Sequence, residues 1–337
     1  MTLGFTDRLE FRESTEARIE WPYTDVRRVD GPFGILRLSC LTAPALARLE
    51  IRDAAVAAKL ISRCAQLDDD VPGRHGVATI VGWSVAAAVS IVAVILFGVP
   101  LAADRLAPLV PQALERRLGN VARAQLKTLF DGQNCNESVG RAAFVKLVKA
   151  VRRSARLSDL EIWAEVFSSA IPNAFALPGD IIYLSNGLLA KAENPDEIAG
   201  ILAHELGHLK HRDAMRDLIY SGGVSFLVGS LFGDITGSGA LIFASRSLVT
   251  ASYSREVEQN ADTFAIETMH RLGRSPKPMG ELMFRVTGNE SDDGLSILSS
   301  HPLTEDRLAR MGSEDRRPTR PPLLSATEWA ALKAICK

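Results

Sequence analysis

The chain has 337 residues, 39 Lys and Arg against 40 Asp and Glu, and a formal net charge of −1. That balance offers no basic footprint for nucleic acid, and neither nucleic acid nor nucleotide is expected as a partner. The length allows two domains, and 47% hydrophobic residues is ordinary for a globular chain, so the placing of apolar residues is more informative than their number. Residues 1–75 read as a small β-rich domain. Strands are expected at Arg18–Tyr23, Ile35–Cys40 and Arg48–Arg52, separated by Pro, Gly and Asp, with a closing helix at Ala54–Cys64. This part carries no catalytic pattern, which points to a regulatory or interaction role.

Residues 76–103 contain no Asp, Glu, Lys or Arg. The core of that stretch, Val77–Val99, exceeds the roughly 20 apolar residues that cross a bilayer, so a single transmembrane helix is expected, with membrane lipid as its partner. Basic residues near its ends tie, with Lys59, Arg63 and Arg74 before it and Arg105, Arg116 and Arg117 after it. A folded module of this size without a preceding signal is hard to export, which favours a cytoplasmic N-terminal part and places residues 104–337 on the far side. Cys40 and Cys64 precede the span, and Cys135 and Cys336 follow it. In an oxidising compartment the latter two could join the ends of the second domain, a pairing the sequence leaves open.

Ala174–Leu177 and Ile181–Leu184 read as two short strands around the turn Pro178-Gly179-Asp180. Next comes His204-Glu205-Leu206-Gly207-His208, an H-E-x-x-H motif in a helix. Asn194 is a suitable cap, Pro195 suits the first turn, and Glu197 is spaced to complete a capping box. Ile198, Ile201, Leu202, Leu206 and Leu209 form an apolar stripe. Two His four apart share a face and can bind one ion, with Glu205 beside it as general base. Zn2+, one per chain, suits neutral imidazoles and an open coordination position. His211 reads as solvent-facing. The apolar region 219–245 is broken by Gly, and each half is too short to span clearly, so a hinged lid or partly inserted hairpin is expected.

A third ligand is needed, and the run Ser247–Leu272, free of Gly and Pro, supplies it. Glu258 would complete a His204, His208, Glu258 set, and Asp262, one turn on, would accept the outer N–H of a ligand His. Arg255 reads as an ion-pairing residue. After Arg307 the chain turns basic and Pro-rich, and Ser325 with Glu328 is spaced as a capping box before a final helix.

H-E-L-G-H followed by S-R-x-x-E-x-x-A-D, with Asn173–Gly179 before and Ser300-His301-Pro302 and Arg307 after, resembles the HtpX/BepA/CAAX-prenyl-protease-like family of membrane-associated zinc metallopeptidases, the gluzincins. The resemblance runs from about Leu126 to Met311. It implies an α+β fold: a mainly helical zincin-type domain with a small sheet. It also implies that extended or unfolded proteins are cleaved in envelope quality control. It puts His301 near the metal as a candidate oxyanion stabiliser, and makes the strand at Asn173, Ala174, Phe175 and Ala176 an exposed edge that binds substrate backbone. Arg307 would hold the His301 loop through a carboxylate. A cytoplasmic active site, and a non-proteolytic metal-stabilised scaffold, are the alternatives.

Overall fold

A computed structural model of the chain describes residues 2–12, 18–44, 46–69, 75–130, 133–232, 254–287, 297 and 301–337. It divides into two compact units, Met1–Val92 and Ala93–Lys337.

The first unit holds two antiparallel three-stranded sheets. One runs β1 (Thr2–Phe5), β2 (Leu9–Arg12), β3 (Arg18–Trp21), and the other β4 (Val26–Arg28), β5 (Leu36–Cys40), β6 (Leu49–Ile51). Helix α1 (Ala54–Arg63) follows, its first turn capped by the Asp53 carboxylate, which accepts the Ala55 and Val56 N–H groups. Leu9, Trp21, Val26, Leu38, Ile51 and Leu60 form the core, with Cys40 and Cys64 as buried free thiols. Strands β1, β2 and β4 went unread in the sequence. Each has four residues or fewer, too short for alternation to register.

Helix α2 (His75–Ala93) runs through a π turn at Val94–Gly98 into α3 (Val99–Leu106) and a 3-10 turn at Ala107–Leu109. Pro100 has no N–H for the carbonyl four residues back, and the π turn beside it absorbs that loss. The helical stretch Thr79–Leu109 is long and apolar enough to cross a membrane by length and composition. Trp83 and Phe97 are 74% and 73% exposed along it, the opposite of a buried core helix.

The second unit continues with α4 (Gln112–Leu129), α5 (Ser138–Ser154) and a three-stranded sheet of β7 (Trp163–Phe167), β8 (Ala174–Leu177) and β9 (Ile181–Ser185). The order is β7-β9-β8, with β9 parallel to β7 and antiparallel to β8. Gly179 and Asp180 take φ of 80° and 64° in the β8–β9 turn, as a tight hairpin requires. A side chain at Gly179 would also strike α4, since its Cβ would lie 2.7 Å from Arg116 Cα. The remaining helices are α6 (Asn186–Lys191), α7 (Pro195–His211), α8 (Asp213–Phe232), α9 (Arg255–Leu272), α10 (Lys277–Thr287), α11 (Glu305–Ser313) and α12 (Ala326–Lys333).

Helix α7 is the centre of this unit. Every residue from Asp196 to Leu209 is buried, and the helix packs against β8, α5, α9 and α10. Asn194 caps it by accepting the Asp196 and Glu197 N–H groups. Glu197 reaches back to the Glu193 N–H at 2.8 Å, one residue before the expected partner. The capping box of Ser325 and Glu328 is present at α12. Helix α12 packs on α5, and Cys135 and Cys336, 201 residues apart, form a disulfide beside it. Of the apolar region 219–245, Ile219–Phe232 falls in α8 and the rest lies outside the described residues. Residues 247–253 also lie outside them, and α9 itself starts at Arg255, capped by the Ser254 hydroxyl.

Candidate metal centre

Two helices build the site. On α7, the four-residue spacing stacks His204 and His208 on one face, with Nε2 atoms 3.1 Å apart. Helix α9 crosses that face and brings Glu258 to it. The close approach depends on Gly207, where a Cβ would lie 3.1 Å from Ala261 Cα and 3.3 Å from Phe264 Cβ. The Glu258 carboxylate lies 3.5 Å from both His204 Nε2 and His208 Nε2. All three residues are 1–2% exposed.

The outer ring nitrogens are held by carboxylates. His204 Nδ1 lies 3.0 Å from Asp262 Oδ1, and His208 Nδ1 lies 2.9 Å from Asp213 Oδ2. A proton on each Nδ1 would leave both Nε2 lone pairs facing one another and Glu258, an arrangement that a bound cation would satisfy. Tetrahedral zinc with nitrogen donors at about 2.0–2.1 Å separates neighbouring donors by about 3.3 Å, close to the spacing found here. The residues therefore fit a bound metal. Burial opposes charge on His204, yet the carboxylates of Asp262 and Glu258 outweigh it and raise the imidazole to about 10. For Glu258, burial is likewise overcome, by His301 and His204, and its carboxyl is held well below the usual range. Both shifts report a site built for positive charge.

His301 belongs to the same cluster. Its Nδ1 lies 2.9 Å from Glu258 Oε1 and 3.3 Å from His204 Nε2, and the four residues present ligand atoms within 4.8 Å of one another. The sequence expectation of His301 beside the metal ligands as an oxyanion stabiliser is matched in position: the side chain lies among the possible ligand atoms. Glu205 is fully buried, both its carboxylate oxygens lack a hydrogen-bond partner among the described residues, and Oε1 lies 3.6 Å from His301 Nε2.

Arg307 locks the outer layer. Its guanidinium donates to both Asp262 oxygens at 2.6 and 2.8 Å and to the Pro302 carbonyl at 2.6 Å, and it lies 2.8 Å from Glu258 Oε2. This buried group joins α9 to the His301 loop. A cleft of about 600 Å3, lined by Arg255, Gln259, Pro302 and Thr304 among others, reaches Glu258. Arg255 is exposed at this cleft, with no ion pair among the described residues. His211 is half-buried against Phe264, not solvent-facing, because α9 covers that side of α7.

Strand β8 is an edge strand, as the sequence implied, but it is covered: Ala174, Phe175, Ala176 and Leu177 are 0–7% exposed. Asn173 is also buried; its backbone N–H donates to Ser185 Oγ and its carbonyl accepts the Ser185 N–H. Asp213 was missed in the sequence. Its only signal there was a carboxylate five residues after a ligand His, at a helix junction whose geometry the sequence does not show.

Comparison with known proteins agrees with this geometry. A mitochondrial metalloendopeptidase OMA1 of Schizosaccharomyces pombe is 27% identical over 169 residues, covering 49% of this chain and 50% of the relative. A beta-barrel assembly-enhancing protease of Escherichia coli (strain K12) is 29% identical over 150 residues, covering 41% of this chain and 31% of the relative. A protease HtpX homolog of Desulfatibacillum aliphaticivorans is 30% identical over 183 residues, covering 42% and 59%. The chain thus spans less than two thirds of the length of each of these relatives. The profile of peptidase family M48 matches residues 142–315, more than half of the chain and all four metal-facing residues, and the chain belongs to that family.

Proposed function

We propose that this chain is a membrane-anchored zinc endopeptidase. The observation that carries the proposal is the convergence of His204, His208 and Glu258 on one buried point, with outer carboxylates on both imidazoles and the buried Glu205 carboxylate alongside. Zinc bound there supplies Lewis-acid polarisation of the scissile carbonyl and makes water acidic near neutral pH. Glu205 takes the proton of the attacking water and passes it to the leaving amine, so the peptide bond breaks without a covalent intermediate. Asp262 and Asp213 hold the ligand imidazoles in the required tautomer, and Arg307 keeps Asp262 ionised and in place.

An extended segment of an unfolded or misassembled envelope protein is the proposed substrate, read through its backbone by the β8 edge at Asn173, Ala174, Phe175 and Ala176. Burial of that edge means its cover must shift before substrate pairs with it. The similarity to a beta-barrel assembly-enhancing protease and to a mitochondrial metalloendopeptidase supports a role in membrane-protein quality control. For topology, the disulfide lies after the apolar helix and the two free thiols before it, which supports a periplasmic peptidase domain and a cytoplasmic N-terminal module.

The fourth donor favours a second reading. Four protein ligands are the mark of a closed, structural metal site, as a non-proteolytic scaffold would have. In the peptidase reading His301 must leave that vertex, and only then could it stabilise the oxyanion. Glu205→Gln separates the readings. The variant should bind zinc like the parent while cleavage of an unfolded protein such as casein is lost. Equal cleavage by parent and variant would remove this site from the mechanism.

A further inference from the structure

Arg212 sits where α7 ends, in the left-handed region at φ 55° and ψ 37°, and α8 begins at the next residue. Gly or Asn normally fills such a position, because a side chain there is strained. A long side chain kept in strained backbone points to a need for that side chain. Its contacts show the need. Nη1 donates to the Ala107 carbonyl at 2.7 Å, the Val110 carbonyl lies 3.4 Å away, and Nη2 lies 2.7 Å from Glu115 Oε2. These acceptors are the last turn of the apolar helical stretch and the first turn of α4. Glu115 is buried and Arg212 half-buried, so the pair is largely shielded from solvent.

The residue after Arg212 is Asp213, whose carboxylate holds His208 Nδ1 at 2.9 Å. Beyond it α8 is fixed to α3 as well. Arg216 Nε lies 3.5 Å from Asp104, and a Cβ at Gly223 would sit 3.0 Å from Val99. We infer that Arg212 is a positioning residue that fixes Asp213, and through it His208, against the end of the apolar helix. The inference rests on the metal reading of His208. It makes the anchor part of the scaffold that sets the metal geometry, so the helix does more than tether a self-sufficient domain.

The test uses the full chain in detergent and two readouts: the zinc dissociation constant, by competition with a chelator of known affinity, and the thermal midpoint of the metal-free protein. Arg212→Gly suits the left-handed backbone and preserves the turn while deleting the latch. It should weaken zinc binding about tenfold or more, in the range seen when outer partners of ligands are lost. Arg212→Lys should recover part of that loss, and Glu115→Gln should weaken zinc binding with little change in the metal-free midpoint. Parent-like zinc affinity in both Arg212→Gly and Glu115→Gln overturns the inference, whatever their thermal midpoints. A parent chain that binds no zinc refutes the metal reading itself, and the inference falls with it.

Discussion

Gly207→Ala sets two calculable effects against each other. In a helix interior Ala is favoured over Gly by about 0.8–1.0 kcal/mol, so propensity alone makes the variant more stable. The new methyl, however, would lie 3.1 Å from Ala261 Cα, 3.3 Å from the Ala261 carbonyl oxygen and 3.3 Å from Phe264 Cβ. Carbon pairs are most favourable near 3.5–4.0 Å, so α9 must retreat by roughly 0.5 Å. All three contacts are to backbone or Cβ atoms, which cannot rotate away. Overpacking of this kind costs about 1–3 kcal/mol, leaving the variant about 0–2 kcal/mol less stable. The effect on the metal should be larger, because Glu258 rides on α9 one turn before Ala261, and ligand distances tolerate only about 0.2 Å. Zinc affinity should fall at least about tenfold while the metal-free thermal midpoint drops by a few degrees. Calorimetric zinc titration and thermal scans of the metal-free chain measure the two. A raised midpoint with unchanged zinc affinity would refute the argument that Gly207 sets the α7–α9 distance.

Three further outcomes are expected. His301→Ala should lower zinc affinity and raise the cleavage rate, since it empties the fourth vertex; a fall in kcat of about a hundredfold or more with unchanged affinity would instead assign His301 to the oxyanion. Cys135→Ser should cost about 2–5 kcal/mol and abolish any response of the thermal midpoint to reductant, and a parent chain insensitive to reductant would contradict the disulfide. Asp217 is raised by burial from 3.8 to about 6, and its Oδ2 has no hydrogen-bond partner among the described residues. A carboxyl raised on folding stabilises below its unfolded value and loses that contribution as pH climbs through the folded one. Asp217→Asn should therefore stabilise the chain by up to about 3 kcal/mol above pH 6 and change nothing below pH 4, read as thermal midpoint against pH.

What the sequence disclosed follows from range. His204, Glu205 and His208 lie within about one helical turn, and the stripe from Ile198 to Leu209 marks the buried face, so local periodicity exposes them. Glu258 and Asp262 are separable from an ordinary acidic face only because Val257, Ala261, Phe264 and Ala265 lie between and beyond them; all but Val257 are buried. Asp213 escaped notice because its contact with His208 depends on the left-handed bend at Arg212, and nothing local marks a non-Gly residue there. His301 was placed near the metal by family resemblance, but its closeness to Glu258 and His204 depends on how its loop folds onto α9 through Arg307, a contact spanning 45 residues. In the first unit, strands of only three or four residues carry too little pattern to be read. The cover over β8 is also invisible in the sequence, because edge-strand character says nothing about what packs beside it.

The central claim is met most directly by anomalous diffraction at the zinc edge from crystals of the full chain grown with zinc. The account predicts one peak per chain, about 2.0–2.2 Å from His204 Nε2, His208 Nε2 and a Glu258 oxygen. A zinc-replete crystal with no peak between these residues, or with zinc held by the two imidazoles and Glu258 turned away, would contradict it.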